Sequence, residues 1–224
     1  MKFTLLQDTV AYEQQMDFIE LAIKGGWVMI PILLLSVVAV FVFTDRFLAI
    51  NRASKMDNHF MSNIREYIQS NRIDGAVALC QANNTPQSRL IEKGIKRMGS
   101  SLADIQTAIE NVGGLEVARL EKGLAILGMV AGGAPMLGFL GTVTGMVRAF
   151  FNMASAGNNL DIQVLSSGIY EAMVTTVAGL IVGIIAYFGY NYLVSRVSRV
   201  VFQLEASTME FMDMLYIKQP SHGN

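Results

Sequence analysis

The chain has 224 residues, of which 52% are hydrophobic and only 16% are charged, and its mean hydropathy is +0.41. This composition is too apolar for an ordinary soluble domain and predicts an integral membrane protein. The net charge of −1 gives no basis for nucleic-acid binding. The single cysteine, Cys80, cannot form an internal disulfide, and His59 and His222 lack the spacing of metal ligands. We expect no metal, no cofactor and, without a nucleophile–base arrangement, no enzyme.

The N-terminal part of the chain predicts an amphipathic helix followed by a membrane span. Residues 1–24 mix acidic and apolar side chains, unlike the basic start of a signal peptide. Gly25 to Thr44 then supplies 20 uncharged residues, with Trp27 placed as an interfacial anchor. We predict a first transmembrane helix over residues 25–50. A cleaved export signal is the alternative, which the length and the acidic flank disfavour.

Residues 51–122 are polar enough to predict a helical segment outside the membrane. One helix is expected to begin at a Ser100/Ser101 cap, because apolar residues follow at helical spacing. Its predicted apolar face contains Leu102, Ile105, Ile109, Val112 and Leu115. The pair Gly113-Gly114 is a candidate interruption of this helix.

The second predicted span, residues 123–150, carries a stripe of small residues. Gly123 to Val147 is 25 residues without a charge. Spacings of three or four place one set of residues on a single helix face: Gly128, Gly132, Pro135, Gly138, Thr142, Gly145 and Ala149. Such a stripe lets another backbone approach closely. It predicts that another helix packs against this face, in the simplest case as a seam between membrane helices.

A short loop over residues 151–167 is predicted to join this span to a third one over residues 168–194. Ala172 to Ser195 is 24 uncharged residues, and its small face contains Ala172, Thr176, Gly179 and Gly183. At about 1.5 Å per residue, Thr142 and Thr176 each lie about 10 Å from mid-membrane, on the same side. We expect two hydroxyls at one level, each of which could instead bond its own helix.

The distribution of lysine and arginine predicts the orientation. Residues 51–122 contain ten of them, the tail after residue 195 three, and the loop at 152–167 none. The positive-inside rule then places the middle segment and the tail in the cytoplasm, and the N-terminal helix and the loop outside. In the tail, residues 195–224, an apolar seam from Val194 to Leu215 predicts a helix that packs on other copies or on the chain's own middle segment.

Ionisable residues occur only at the ends of the predicted spans. Glu171 and Arg148 both lie at the outer side, where Glu171 is a candidate pore-mouth or proton-binding group or a rim residue paired with Arg148. No Asp, Glu, His, Lys or Arg lies in the middle of a span. If this chain moves protons, another subunit has to supply the carrier.

The span sequences resemble those of the ExbB/TolQ/MotA proton-channel family. GGAPMLGFLGTVTGMVRAF (132–150) is similar to the family pattern APLLGLLGTVxGM, and YEAMVTTVAGLIVGIIAYFGYNYL (170–193) to EALxxTAxGLxxAIPAxxxYN. GGWVMIPILLLSVVAVFVFTDRFLAINR (25–52) looks like the family's first span, with Asp45-Arg46 in place of Glu-Arg. Three spans and a cytoplasmic middle segment match the ExbB-like branch.

The resemblance implies an all-α ring, a pentamer, in the inner membrane of a Gram-negative bacterium. The ring would surround two single-span ExbD-like subunits, each with an intramembrane aspartate, and would energise a TonB-like protein for outer-membrane transport. Matching positions make Thr142, Thr176 and Glu171 the polar lining, with Thr175 adjacent where alanine is usual. Residues expected to pack on the partner helix are Gly128, Gly132, Pro135, Gly138, Gly141, Gly145, Gly179 and Gly183. Lipid covers the remaining faces.

Two departures and several alternatives stay open. Thr175 adds a hydroxyl, and Ile184-Ile185-Ala186 lacks the family's proline, so a break in the third span is not implied. Within the family, a TolQ-like role in envelope integrity and division, or a stator for gliding or another machine, is the nearest alternative. A non-transporting membrane scaffold, in which the stripes are only seams, is the other class.

Overall fold

The computed structural model describes residues 25–55, 57, 59–155 and 162–218, and the helix predicted for residues 1–24 lies outside them. The described residues form seven helices. Among these residues, three helices are long and apolar enough to cross a membrane, the number that the sequence predicted. The chain is a multi-pass membrane protein. The helices are α1 (Met29–Ala53), α2 (Phe60–Gln69), α3 (Ile73–Asn83), α4 (Pro86–Lys96), α5 (Leu102–Glu121), α6 (Leu124–Ser155) and α7 (Ile162–Lys218).

Helices α6 and α7 extend beyond the membrane spans predicted from hydropathy. Helix α6 ends at Ser155 rather than at residue 150, and α7 begins at Ile162 rather than at residue 168. Both helices therefore enter the region expected to be a loop. The difference arises because hydropathy marks where a chain leaves the apolar phase, whereas a helix can continue in polar sequence.

The structure divides into two compact units. The first contains the described residues 25–35, 133–155 and 162–183, and the second contains residues 36–132 and 184–218. In the first unit, Val28, Met29 and Ile32 at the start of α1 are buried against Leu137, Ala178 and Val182.

In the second unit, side chains cap the N-termini of α4 and α5. Thr85 and Ser88 form a capping box at the start of α4, and Pro86 occupies its first turn. The Ser101 hydroxyl accepts a hydrogen bond from the Asp104 amide at 3.1 Å, which confirms the predicted start of α5. The glycine pair in α5 does not interrupt that helix.

The buried face of α5 differs from the predicted one at its C-terminal half. Ile105 and Ile109 are buried as expected, but Leu115 is 63% exposed and Glu116 is buried. The Glu116 carboxylate accepts hydrogen bonds from Arg89 at 2.6 Å and from Arg119 at 2.6 Å. A carboxylate paired with two guanidinium groups can be buried at low cost, and sequence periodicity does not reveal such pairing.

The apolar seam after the third span packs on the chain's own middle segment. Leu204 and Phe211 are buried, and a Cβ on Gly94 would lie 2.5 Å from the Phe211 ring. The Gln87 amide donates a buried hydrogen bond to the Ser207 hydroxyl at 2.8 Å. Of the two alternatives for this seam, the structure shows packing within the chain.

Candidate functional site: hydroxyls and a carboxylate between the second and third spans

Helices α6 and α7 approach so closely in the first unit that their glycines leave no room for side chains. A Cβ on Gly138 would lie 2.9 Å from the Thr175 carbonyl oxygen, and one on Gly179 would lie 2.5 Å from the Ala134 carbonyl oxygen. A Cβ on Gly145 would lie 3.0 Å from the Ala172 Cβ. These contacts run antiparallel along the two helices. We call them the glycine seam (Gly138, Gly145, Gly168, Gly179 with Ala149 and Ala172).

The glycine seam includes residues that were also expected to pack on a partner helix. Gly138, Gly141 and Gly145 contact the chain's own third span, as in the seam alternative. Gly179 of the third span contacts Ala134 and Gly138 of the second. A small-residue stripe predicts that some backbone comes close but does not identify the helix that supplies it. Gly168 belongs to the same seam and was missed, although its spacing of four before Ala172 continues the pattern.

Thr142 and Thr176 lie together at the edge of the glycine seam. The Thr176 hydroxyl donates to the Gly138 carbonyl oxygen at 3.0 Å and lies 3.4 Å from the Thr142 hydroxyl oxygen. Thr142 in turn donates to the Phe139 carbonyl oxygen at 2.6 Å. Both side chains are half-buried. The structure therefore brings together the two hydroxyls that were expected at one level.

The other two threonines are occupied by their own helices. The Thr175 hydroxyl donates to the Ala172 carbonyl oxygen at 2.8 Å, is buried, and packs over Gly141. The Thr144 hydroxyl donates to the Leu140 carbonyl oxygen at 2.9 Å. This back-bonding satisfies a hydroxyl inside an apolar region.

Glu171 of α7 and Arg148 of α6 form an ion pair where the uncharged stretches of the two helices end. The Arg148 Nη1 atom lies 3.6 Å from Glu171 Oε1, with 58% and 27% of the two side chains exposed. The rim pair is thus one of the expected arrangements for Glu171. The carboxylate also lies over Gly26, in the turn before α1. Sequence reasoning missed this contact of the first span, because no local pattern connects residues so far apart.

The remaining small residues of the predicted stripe lie in different surroundings. A Cβ on Gly128 would contact the Tyr190 ring at 3.5 Å, whereas one on Gly132 would meet no atom within 4 Å. Pro135 is half-buried within α6, and Gly183 is buried. Gly132 is therefore the stripe residue with open space beside it.

Hydroxyl groups at this depth can hydrogen-bond a carboxylate, a carboxylic acid or water, since each hydroxyl both donates and accepts. They do not ionise near neutral pH, so they cannot carry a proton across the membrane by themselves. The arrangement can therefore solvate a proton carrier, while Glu171 and Arg148 place charge at its end.

This chain is similar to known proteins. The sequence profile of the MotA/TolQ/ExbB proton channel family matches residues 82–206, more than half of the chain. The chain is 30% identical over 179 residues to the ExbB-like 1 protein of Synechocystis sp., covering 79% of this chain and 70% of that protein. It is 28% identical over 180 residues to the biopolymer transport protein ExbB of Neisseria meningitidis, covering 74% and 80%. The chain belongs to the MotA/TolQ/ExbB proton channel family.

Proposed function

We propose that this chain is the ExbB-like, ring-forming subunit of a proton-driven complex in the inner membrane of a Gram-negative bacterium. Five copies enclose the spans of two ExbD-like subunits, whose intramembrane aspartates carry the protons. The complex passes the resulting motion to a TonB-like protein and so energises outer-membrane transport. Family membership and the three spans support the proton-channel role.

The observation that carries this proposal is the Thr142–Thr176 pair. Two hydroxyls 3.4 Å apart lie on facing helices in a chain whose spans have no ionisable residue in the middle. A partner's carboxylic acid can donate to either hydroxyl oxygen, and its carboxylate can accept from a hydroxyl that turns away from its backbone carbonyl. Each proton crossing the membrane supplies about 2.3 kcal/mol per 100 mV of membrane potential, which is the energy available to the complex.

We place the partner helix beside Gly132 rather than in the glycine seam, because the seam is already closed by the chain's own backbone. Thr142 and Thr176 form the proton-path lining, and Glu171 lies at its outer end. Thr175, with its hydroxyl buried and bonded to Ala172, supports the seam beneath them.

The proposal is tested by proton uptake in vesicles that contain the chain and the single-span protein encoded beside it. Thr142→Val with Thr176→Val should reduce uptake by tenfold or more, because the carrier loses both hydrogen-bonding partners. Thr144→Val is the matched control, since that hydroxyl bonds only its own helix, and it should retain uptake. Equal uptake in the double variant and the control, with assembly intact, would contradict the proposal.

The proposed ring is tested separately by native mass spectrometry. The purified chain should give a species of five 24.5-kDa copies, with additional mass when the single-span partner is co-expressed. A monomer or dimer under conditions that preserve the partner complex would contradict the ring.

A further inference from the structure

We propose that Gly26 and Arg148 are positioning residues that hold the Glu171 carboxylate in place, so that the turn before the first span forms part of the site. This inference rests on the proposed function for its consequence, because a held carboxylate matters only if Glu171 serves the proton path. The positioning itself rests on contacts within the first unit.

The first observation is the backbone conformation of Gly26. Its φ is +68°, in the left-handed region that favours glycine. A Cβ there would overlap Glu171 Oε1 and lie 3.0 Å from its Cδ. The carboxylate therefore occupies the space that any other side chain at residue 26 would need.

The second observation is the ion pair on the other side of the carboxylate. Arg148 Nη1 lies 3.6 Å from the same oxygen, Oε1. Glu171 thus lies between the glycine backbone of the turn before the first span and a guanidinium from the second. This turn is anchored because Val28 and Met29, two and three residues after Gly26, are buried.

Because the atoms near Gly26 are the far end of a flexible side chain, Gly26→Ala should displace the carboxylate rather than the helices. Shortening the acid should remove the overlap, so Glu171→Asp should rescue the Gly26→Ala defect in the sense that adding Gly26→Ala to Glu171→Asp displaces the carboxylate no further. A purely structural glycine would show no such rescue.

Carbodiimide labelling of residue 171, measured by mass spectrometry on the full chain in detergent, reports whether the carboxylate is held. We expect Gly26→Ala and Arg148→Gln each to raise the labelling rate about fivefold, the size of effect that loss of an exposed ion pair gives. The Gly26→Ala, Glu171→Asp double variant should label no faster than Glu171→Asp alone.

The matched control is Gly99→Ala. Gly99 also has a left-handed φ, +100°, but a Cβ there would meet no atom within 4 Å, so this variant carries backbone strain without the contact. Labelling of Glu171 in Gly26→Ala equal to that in Gly99→Ala would overturn the inference, as would the absence of rescue by Glu171→Asp. The labelling rate tests whether Gly26 and Arg148 position the carboxylate. Proton uptake by the unmodified chain with its partner tests the proposed function separately.

Discussion

Cys80 is a reporter of local opening in the second unit. It lies in α3 with 1% of its surface exposed. Burial raises the pKa of its thiol from 9.0 to about 12, and the nearby Glu92 charge adds to the rise. Since the thiolate is the reactive form, the folded environment protects the sulfur both by burial and by keeping its proton.

Maleimide should therefore label Cys80 very slowly in the folded chain. At pH 8 the shift from 9.0 to about 12 lowers the thiolate fraction about a thousandfold. As pH rises from 9 towards 12, only the unfolded state releases this proton, so the free energy of unfolding should fall over that window. Time courses of maleimide labelling in detergent, with and without denaturant, measure how far the folded state slows the reaction of Cys80. Labelling of folded Cys80 as fast as that of an exposed Arg72→Cys would contradict this account.

The threonines show what sequence could and could not predict at this scale. Depth along each helix predicted that Thr142 and Thr176 share a level, because helical rise is regular. Which carbonyl each hydroxyl bonds was not predictable, since a threonine can bond its own helix or a neighbour. Thr176 bonds across to Gly138, and Thr175 bonds back to Ala172. The close approach of the two backbones decides between these outcomes.

At the scale of the helix, the glycine seam and the open face beside Gly132 should respond differently to a larger side chain. Gly138→Leu should destabilise the purified chain by about 1–3 kcal/mol or more, because the new side chain meets the backbone of Thr175 and Gly179. Gly132→Leu should leave thermal stability unchanged and reduce recovery of the single-span partner. Melting curves and co-purification measure the two effects. Equal melting of both variants would show that the seam is not closed.

Helix α7 contains two phenylalanines, one buried and one exposed, that test how this helix packs. Phe211 is fully buried over Gly94, whereas Phe202 is 71% exposed. Phe211→Ala should cost about 3–5 kcal/mol of unfolding free energy. Phe202→Ala, the control, should cost less than about 0.5 kcal/mol. Chemical unfolding followed by circular dichroism measures both, and similar losses in the two variants would contradict the packing described for Phe211.

The apolar seam in the C-terminal part of α7 also shows why the surface that it packs on was not predictable. Apolar residues at alternating spacings of three and four predict that one helix face is buried, and Leu204 and Phe211 are buried. The same spacing suits another copy equally well. The features that select the chain's own middle segment are Gly94, whose missing side chain admits Phe211, and Gln87, which bonds Ser207. Neither feature belongs to the heptad pattern.

For the whole molecule, the three spans were predictable from hydropathy alone, because a membrane requires long uncharged helices. The contact between Gly26 and Glu171 was not, since it depends on tertiary packing between residues distant in sequence. The predicted end of α6 and start of α7 differed from the structure for another reason: residues 151–155 and 162–167 remain helical beyond the point where the hydropathy pattern ends.

The orientation proposed from the lysine and arginine count can be measured in intact cells. In a Cys80→Ser background, Ser155→Cys should react with a membrane-impermeant maleimide that is added to intact cells. Arg72→Cys should react only after lysis, because the middle segment is placed in the cytoplasm. The reverse pattern would contradict the orientation and with it the assignment of Glu171 to the outer side.

The backbone contact between Gly138 and Gly179 has a practical consequence for handling the protein. Lipid tails and leucine side chains are equally apolar, so this contact is held by dispersion between closely fitted surfaces rather than by exclusion of water. Its strength should therefore depend little on acyl-chain length. We expect α6 and α7 to stay associated in short-chain detergents that strip away bound lipids.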